Sequence, residues 1–430
     1  MTEVFDDLRW RGLIAQTTDE AALRAALDGD TPVTFYAGFD PTGPSLHIGH
    51  LVQALTMRRL QQGGHQPIAL VGGATGLIGD PRPTTERGMH DEAVVAGWVE
   101  RLRAQIAPML SFDDDGDATS ESAVPAAIMV NNLDWTKGIS AIELLRSVGK
   151  HFRMSTMLGR DVVARRLASD EGLSFTEFSY QLLQALDFRE LLRAYGCTLQ
   201  LGGNDQWGNM VGGAEYIRKT DGAVVQVLAT PLITKSDGTK MGKSEGGAVW
   251  LDPEMMSPYA FYQFWLNTAD ADVVHYLKVF TFRDRAEIER LAAEVANNPG
   301  AREAQRALAG DITELVHGRQ ALDGAVFASQ ALFGRGDVHE LDAATLRGVA
   351  AELPGAPTAV GDSLLDAAVA TGIVKSKGEA RRAVKEGGLY LNNGKVTDPE
   401  RVLAVTDFLQ GEYALLRRGK KTLAALRQAA

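Results

Sequence analysis

A single cysteine, Cys197, stands in 430 residues, so the chain can build neither an internal disulfide nor a cysteine-based zinc cluster, and its fold does not rely on oxidation. Long hydrophobic runs are missing too. No segment approaches the roughly 18 uninterrupted apolar residues of a membrane span. The first residues, Met1-Thr2-Glu3-Val4-Phe5-Asp6-Asp7, carry neither a basic region nor an apolar stretch. A cytoplasmic protein with no membrane partner is the expectation. Positive charge is outnumbered, with 44 Lys and Arg against 55 Asp and Glu and a formal net charge of −11. That excludes a surface coated in nucleic-acid-binding charge but leaves room for a local basic patch. Core material is plentiful: hydrophobic residues make up 45% of a chain long enough for two or three domains.

Charge is unevenly spread. Residues 361–430 hold 12 Lys and Arg against 8 Asp and Glu, a balance of +4, which leaves −15 for the rest. The tail therefore has a different partner or task. Residues 351–361, Ala-Glu-Leu-Pro-Gly-Ala-Pro-Thr-Ala-Val-Gly, have the composition of a linker. Residues 1–250 alternate short β-branched runs with longer amphipathic stretches, the pattern of a doubly wound, Rossmann-like parallel α/β sheet. Strands are expected at Val33–Phe39, Pro67–Val71, Ala127–Val130, Thr198–Leu201 and Val224–Leu228. Residues 251–350 read as a helical domain and 362–430 as a small α+β domain. The acidic stretch 113–122 reads as a solvated loop.

The densest chemical signal is the run from Phe35 to His50, where a strand feeds a turn holding two Pro and two Gly, and a helix opens near Ser45. His47 and His50 share one face at the positive end of that helix, where polyphosphate is attracted. Gly49 between them would let a flat base approach the backbone. A second loop, Lys235 to Gly247, is rich in Gly and Lys and suited to close over a phosphate chain. Further along, Ser174 and Glu177 have capping-box spacing. Tyr180, Gln184 and Asp187 then form a polar stripe among Leu182, Leu183 and Leu186, which fits the wall of a pocket. A buried Asp needs a hydrogen-bonding partner, and a substrate phenol can supply one.

Pro41 to His50 resembles the HIGH motif of class I aminoacyl-tRNA synthetases, and Lys240-Met241-Gly242-Lys243-Ser244 resembles their KMSKS loop, about 200 residues later in the expected order. The segment 174–188 is similar to the tyrosine-binding helix of bacterial tyrosyl-tRNA synthetases. So are Gln200 to Asn209, Asn131 to Trp135 and Ser257 to Trp265, and the resemblance extends over nearly the whole chain. It implies that Tyr36 and Asp187 hydrogen-bond the phenol of L-tyrosine, while Asp80, Tyr180 and Gln184 hold its ammonium group with Gln206 alongside. Gly38, Asp40, Gly49, Gly203, Asp205, Gln206 and Lys243 would line the space for ATP and the adenylate. Thr42, His47, His50, Lys240 and Lys243 would stabilise phosphate charge and the departing pyrophosphate. Ala37 departs from family members whose side chain at that place can touch the ribose. Mg²⁺ would come with ATP, since no dedicated metal cluster is visible.

In the tail, Ser376 and Glu379 form another capping-box match before Arg381, Arg382 and Lys385, and an Asn-Gly hairpin turn follows near 392–394. This looks like an S4-type RNA-binding domain. The resemblance implies a tyrosine–tRNA ligase acting as a homodimer on tRNA(Tyr). Two other readings stay open at this point: a nucleotidyltransferase adenylating another small molecule, and an RNA-binding scaffold with a disused site.

Overall fold

A computed structural model describes residues 3–81, 88–112, 124–170, 172–239, 241–244 and 247–429. The acidic stretch 113–122 and Lys240 lie outside the described residues; of Lys243 the backbone is described but not the side chain. Two compact units emerge, residues 1–252 with 274–290, and residues 253–273 with 291–430.

The first unit is built on six strands, β1 (Gln16–Thr17), β2 (Thr34–Phe39), β3 (Gln66–Val71), β4 (Ile128–Asn131), β5 (Leu199–Gly203) and β6 (Gln226–Thr230), in the order β1-β6-β5-β2-β3-β4. Strands β2 to β6 run parallel, and the two-residue β1 pairs antiparallel to β6. Parallel strands are covered on both faces and therefore read as continuous apolar runs; β3 is buried from Pro67 to Val71. Helix α1 (Ile48–Gln62) connects β2 to β3, α2 (Phe175–Tyr195) precedes β5, and α3 (Trp207–Thr220) connects β5 to β6. The phenol ring of Tyr36 on β2 meets Phe188 of α2 at 5.3 Å between centroids. The order reverses between β2 and β5, and this is the switch point where such sheets bind ligands.

Helix α1 does not start at Ser45 as its sequence suggests. Its cap is His47, in extended backbone (φ −129°, ψ 173°), whose Nδ1 accepts from Gly49 N. Ser45 is buried and held otherwise, its hydroxyl donating to Leu46 O and accepting from Asp252 N. The Ser174 cap is present, accepting from Glu177 N at 3.2 Å, while the Glu177 carboxylate is bound by the buried Arg166 at 2.9 Å.

The C-terminal part of the Gly- and Lys-rich loop pairs as a two-stranded ribbon, β7 (Lys243–Ser244) with β8 (Gly247–Ala248). In the second unit, helices α4 (Pro258–Leu266), α5 (Glu303–His317), α6 (Arg319–Ala331) and α7 (Ala343–Ala351) precede β9 (Gly355–Thr358). Helix α8 (Lys377–Lys385) is followed by β10 (Leu389–Leu391), β11 (Gly394–Lys395), β12 (Tyr413–Arg418) and β13 (Thr422–Gln428). The sheet order is β11-β10-β12-β13-β9. Within the segment read as linker, Gly355–Thr358 is thus an edge strand parallel to β13, a position where Pro357 costs the ladder nothing. Alternation along β12 and β13 sends Leu416 and Leu426 into one apolar cluster, with Leu364 and Val384, and Leu415 and Ala425 into another, with Tyr259 and Leu346. The hairpin turn is Asn392-Asn393, with φ of 46° and 64°, rather than Asn-Gly. Buried Asn392 is held through its side chain, which accepts from Leu415 N and donates to Asp407 O. Among the described residues no helix is long and apolar enough to cross a membrane.

Candidate active site

One cavity of about 610 Å³ opens at the carboxyl ends of β2 and β5. Its lining includes Tyr36, Gly38, Asp40, Thr42, His47, Gly49, His50, Asp80, Tyr180, Gln184, Asp187, Gly203, Asp205 and Gln206, residues that lie as far as 170 positions apart in the chain.

At its buried end, Asp187 is 3% exposed and accepts from Asn132 Nδ2 and Trp135 Nε1, each at 2.9 Å. Burial pushes its carboxyl up to about 7 against the pull of those two donors. The hydroxyl of Tyr36 is buried with no partner among the described residues, and burial raises its pKa well above the ordinary phenol value. An unpaired hydroxyl near a buried carboxyl of raised pKa is a site suited to one ligand group that can both donate and accept. Tyr180 donates to Asp40 Oδ2 and Thr75 to Asp40 Oδ1, both at 2.7 Å. Asn132 also donates to Thr75 Oγ1 at 3.0 Å, so Asp40 and Asp187 belong to one network. Asp80 accepts from Gln206 Nε2 at 2.7 Å and Asn209 Nδ2 at 3.2 Å.

At the other end, the rings of His47 and His50 stack with centroids 4.0 Å apart. His50 Nδ1 accepts from His47 N at 3.1 Å, and His47 Nδ1 from Gly49 N at 3.1 Å. With both Nδ1 atoms accepting, a neutral ring carries its proton on Nε2. Burial lowers the His47 pKa and favours that neutral form. Gly49 has a packing reason beyond access for a base: a Cβ there would stand 2.8 Å from His47 Cε1. The loop after β6 leans on the same turn. Ile48 N donates to Val249 O and Leu251 N to Leu46 O. Gly242 is at φ 86°, and a Cβ there would stand 2.7 Å from Ile48 Cδ1 and 2.8 Å from its Cγ1.

Spacing in the sequence assigns no role to Asn132, Trp135, Thr75, Asn209, Gln53 or Gln200. Asn132 directly follows the carboxyl end of β4, which is the signal that could have found it. Gln53 donates to Thr230 Oγ1 at 2.6 Å, and Gln200, which lines the same cavity, keeps a buried Oε1 with no partner among the described residues.

In the second unit, α8 begins at the Ser376 cap, which accepts from Glu379 N at 3.3 Å. Arg382 and Lys385 are exposed on it, while Arg381 pairs with Glu400 at 3.1 Å. Arg417 covers the Tyr390 ring at 4.0 Å.

Residues 28–334 match the family described as tRNA synthetases class I (W and Y), and residues 347–426 match the tyrosine–tRNA ligase SYY-like C-terminal domain. Over 427 residues the chain is 58% identical to a tyrosine–tRNA ligase of Streptomyces coelicolor, covering 99% of each chain. The chain belongs to the class I tyrosyl-tRNA synthetases. A tyrosine–tRNA ligase of Kineococcus radiotolerans is 57% identical over 99% of each chain. Among solved structures, a C-terminally truncated mitochondrial tyrosyl-tRNA synthetase of Aspergillus nidulans superposes with a TM-score of 0.68 at 31% identity, covering 77% of this chain and 95% of that one. Full-length likeness of this kind does not favour the nucleotidyltransferase or the disused scaffold.

Proposed function

We propose that this synthetase activates L-tyrosine with ATP, forming tyrosyl-adenylate and pyrophosphate, and then transfers the tyrosyl group to the 3′ end of tRNA(Tyr). The observation that carries this reading is the buried pair of the unpartnered Tyr36 hydroxyl and the raised Asp187 carboxyl, in one cavity with the histidine-capped turn of α1. The substrate phenol would accept from Tyr36 and donate to Asp187. Phenylalanine would leave both without a partner and be rejected on that ground. Asp80, with Tyr180, Gln184 and Gln206, would hold the ammonium group, which points the carboxylate along the cavity toward the nucleotide.

No side-chain nucleophile is needed. The tyrosine carboxylate attacks the α-phosphorus, the bond to the bridging oxygen breaks, and pyrophosphate leaves with that electron pair. The protein contributes alignment and charge stabilisation. His47 and His50 would each present an Nε2–H to the phosphates, with Thr42 adding a donor. Lys240 and Lys243 would close over the leaving group, and Gly38, Asp40, Gly49, Gly203 and Asp205 would line the ATP space. Mg²⁺ enters with ATP as part of the substrate.

Functionally the chain divides as residues 1–250 for adenylate formation, 251–350 as the helical domain, and 362–430 for RNA, with Arg381, Arg382 and Lys385 on phosphates; the segment 351–361 between them contributes strand β9 to the tail's sheet rather than a free connection. A homodimer is supported by the apolar side chains of Ile142, Leu145 and Met154, which are 55–68% exposed. A cytoplasmic location suits the lone buried thiol of Cys197. ATP–pyrophosphate exchange with each amino acid in turn tests the reading: tyrosine alone should support it, and exchange driven by another amino acid, or by none, removes it.

A further inference from the structure

We propose that Arg160 is a positioning residue: it fixes the amide of Asn209 and through it the carboxylate that receives the substrate's ammonium group. The proposal rests on the reading of Asp80 as that carboxylate.

Arg160 Nη1 donates to Asn209 Oδ1 at 2.8 Å. The other end of the same amide donates to Asp80 Oδ1 at 3.2 Å and to Gln206 Oε1 at 3.1 Å, and Gln206 Nε2 closes the ring on Asp80 Oδ2 at 2.7 Å. A primary amide has one accepting end and one donating end. Turned over, Asn209 would set its carbonyl oxygen against the Asp80 carboxylate and its NH₂ against a guanidinium. Arg160 has donors only and cannot accept that arrangement. The guanidinium thus selects the one amide orientation that steadies Asp80.

The site around Arg160 is made for a side chain of that size. It lies against Gly208 and Gly212 of the helix carrying Asn209; a Cβ at Gly212 would stand 2.5 Å from Nη2 and one at Gly208 3.5 Å from Cδ. Burial lowers the Arg160 pKa, opposed by the charges of Asp80 and Glu215. A partly desolvated cation is therefore within reach of Asp80's field, with a neutral amide between them.

The test uses the full-length protein with Arg160→Met, Arg160→Lys and Gly212→Ala, reading tyrosine Kd without ATP, KM for tyrosine and for ATP in pyrophosphate exchange, and Tm. Losing one such hydrogen bond should raise tyrosine Kd and KM about tenfold in Arg160→Met, with kcat and the ATP KM within about twofold, the signature of lost ground-state binding. Arg160→Lys should recover part of the loss. Gly212→Ala should keep or raise Tm, because Ala favours a helix interior by about 1 kcal/mol, yet still weaken tyrosine binding. In an Asp80→Asn background, Arg160→Met should add no further loss. Unchanged tyrosine affinity in all three variants, an equal rise in both KM values, or full additivity with Asp80→Asn would overturn the proposal. If Arg160→Met does not fold, the other two variants carry the test. A wild-type protein that fails to bind tyrosine sinks the function itself, whereas wild-type binding with indifferent variants sinks only the role of Arg160.

Discussion

Two buried residues carry opposite kinds of dissatisfaction, and both become measurable. The Tyr36 hydroxyl has no partner among the described residues, and an unmade hydrogen bond at a buried group costs about 1–3 kcal/mol. Tyr36→Phe should therefore leave Tm unchanged or raise it, while weakening tyrosine about tenfold and phenylalanine hardly at all, so discrimination narrows. Equal loss for both amino acids, measured by equilibrium titration, would move Tyr36 out of the phenol site. Asp187 binds its proton more tightly in the folded protein, with its carboxyl at about 7 rather than near 4. Its contribution to stability is present below pH 4 and lost as pH rises through 7. Ligand binding has the opposite sign, because a phenol O–H donates to the ionised form. Tyrosine affinity without ATP should be flat above pH 8 and fall as pH drops through 7, approaching about tenfold per unit below it. A flat profile from pH 5.5 to 8.5 would show that Asp187 does not accept from the substrate.

At the level of elements, the cap of α1 joins fold to chemistry: the hydrogen bonds that close the first turn also fix which nitrogen of His47 and His50 bears the proton. The loop after β6 bears on that turn through Gly242. An alanine there would combine a left-handed backbone, which costs a side chain about 1 kcal/mol, with a collision against Ile48. Gly242→Ala should slow pyrophosphate exchange roughly tenfold without changing tyrosine Kd, and Ile48→Ala in that background should restore part of the rate by removing both Cδ1 and Cγ1, the two atoms an added Cβ would meet. A tyrosine Kd that rises in step with the fall in rate would instead put the damage in the pocket.

The same elements mark how far the sequence can be read. The five parallel strands β2 to β6 are legible to within two residues because a parallel strand is a solid apolar run, as β3 is, whereas the two-residue antiparallel β1 leaves no such run; the Ser174 and Ser376 caps are legible because cap chemistry is local. The start of α1 is not legible because serine is the commoner cap; only tertiary contacts reveal that Ser45 serves Leu46 and Asp252 instead. Asn132, Trp135 and Asn209 escape a reading by spacing because their work is to hold other side chains, a property of three-dimensional contact. The Pro and Gly of residues 351–361 have linker composition, yet an edge strand tolerates the same residues.

For the whole molecule, the tail serves as a wall of the helical core as well as a candidate RNA surface. Leu409, Leu415 and Ala425 share one apolar cluster with Tyr259, Leu332, Leu346 and Val349. Cutting at residue 361 would also strip β9 of the strand it pairs with, β13. A truncated chain is therefore expected to lose Tm and aggregate, and its failure to charge tRNA would say little about RNA. Reversing exposed charge in the intact chain separates the two roles. Arg382 and Lys385 are both exposed, so Arg382→Glu with Lys385→Glu should keep tyrosine-dependent pyrophosphate exchange at its wild-type value and lower stability, read as Tm, by no more than the about 0.3–1 kcal/mol that each last-turn charge is worth to its helix. KM for tRNA should rise, and the dependence of tRNA affinity on salt should flatten by about 0.7–0.9 in log–log slope for every phosphate left without its cation. Unaltered tRNA KM and salt slope would show that this helix face does not carry the RNA and would turn the search to the other cations of the second unit, beginning with Arg417 on Tyr390.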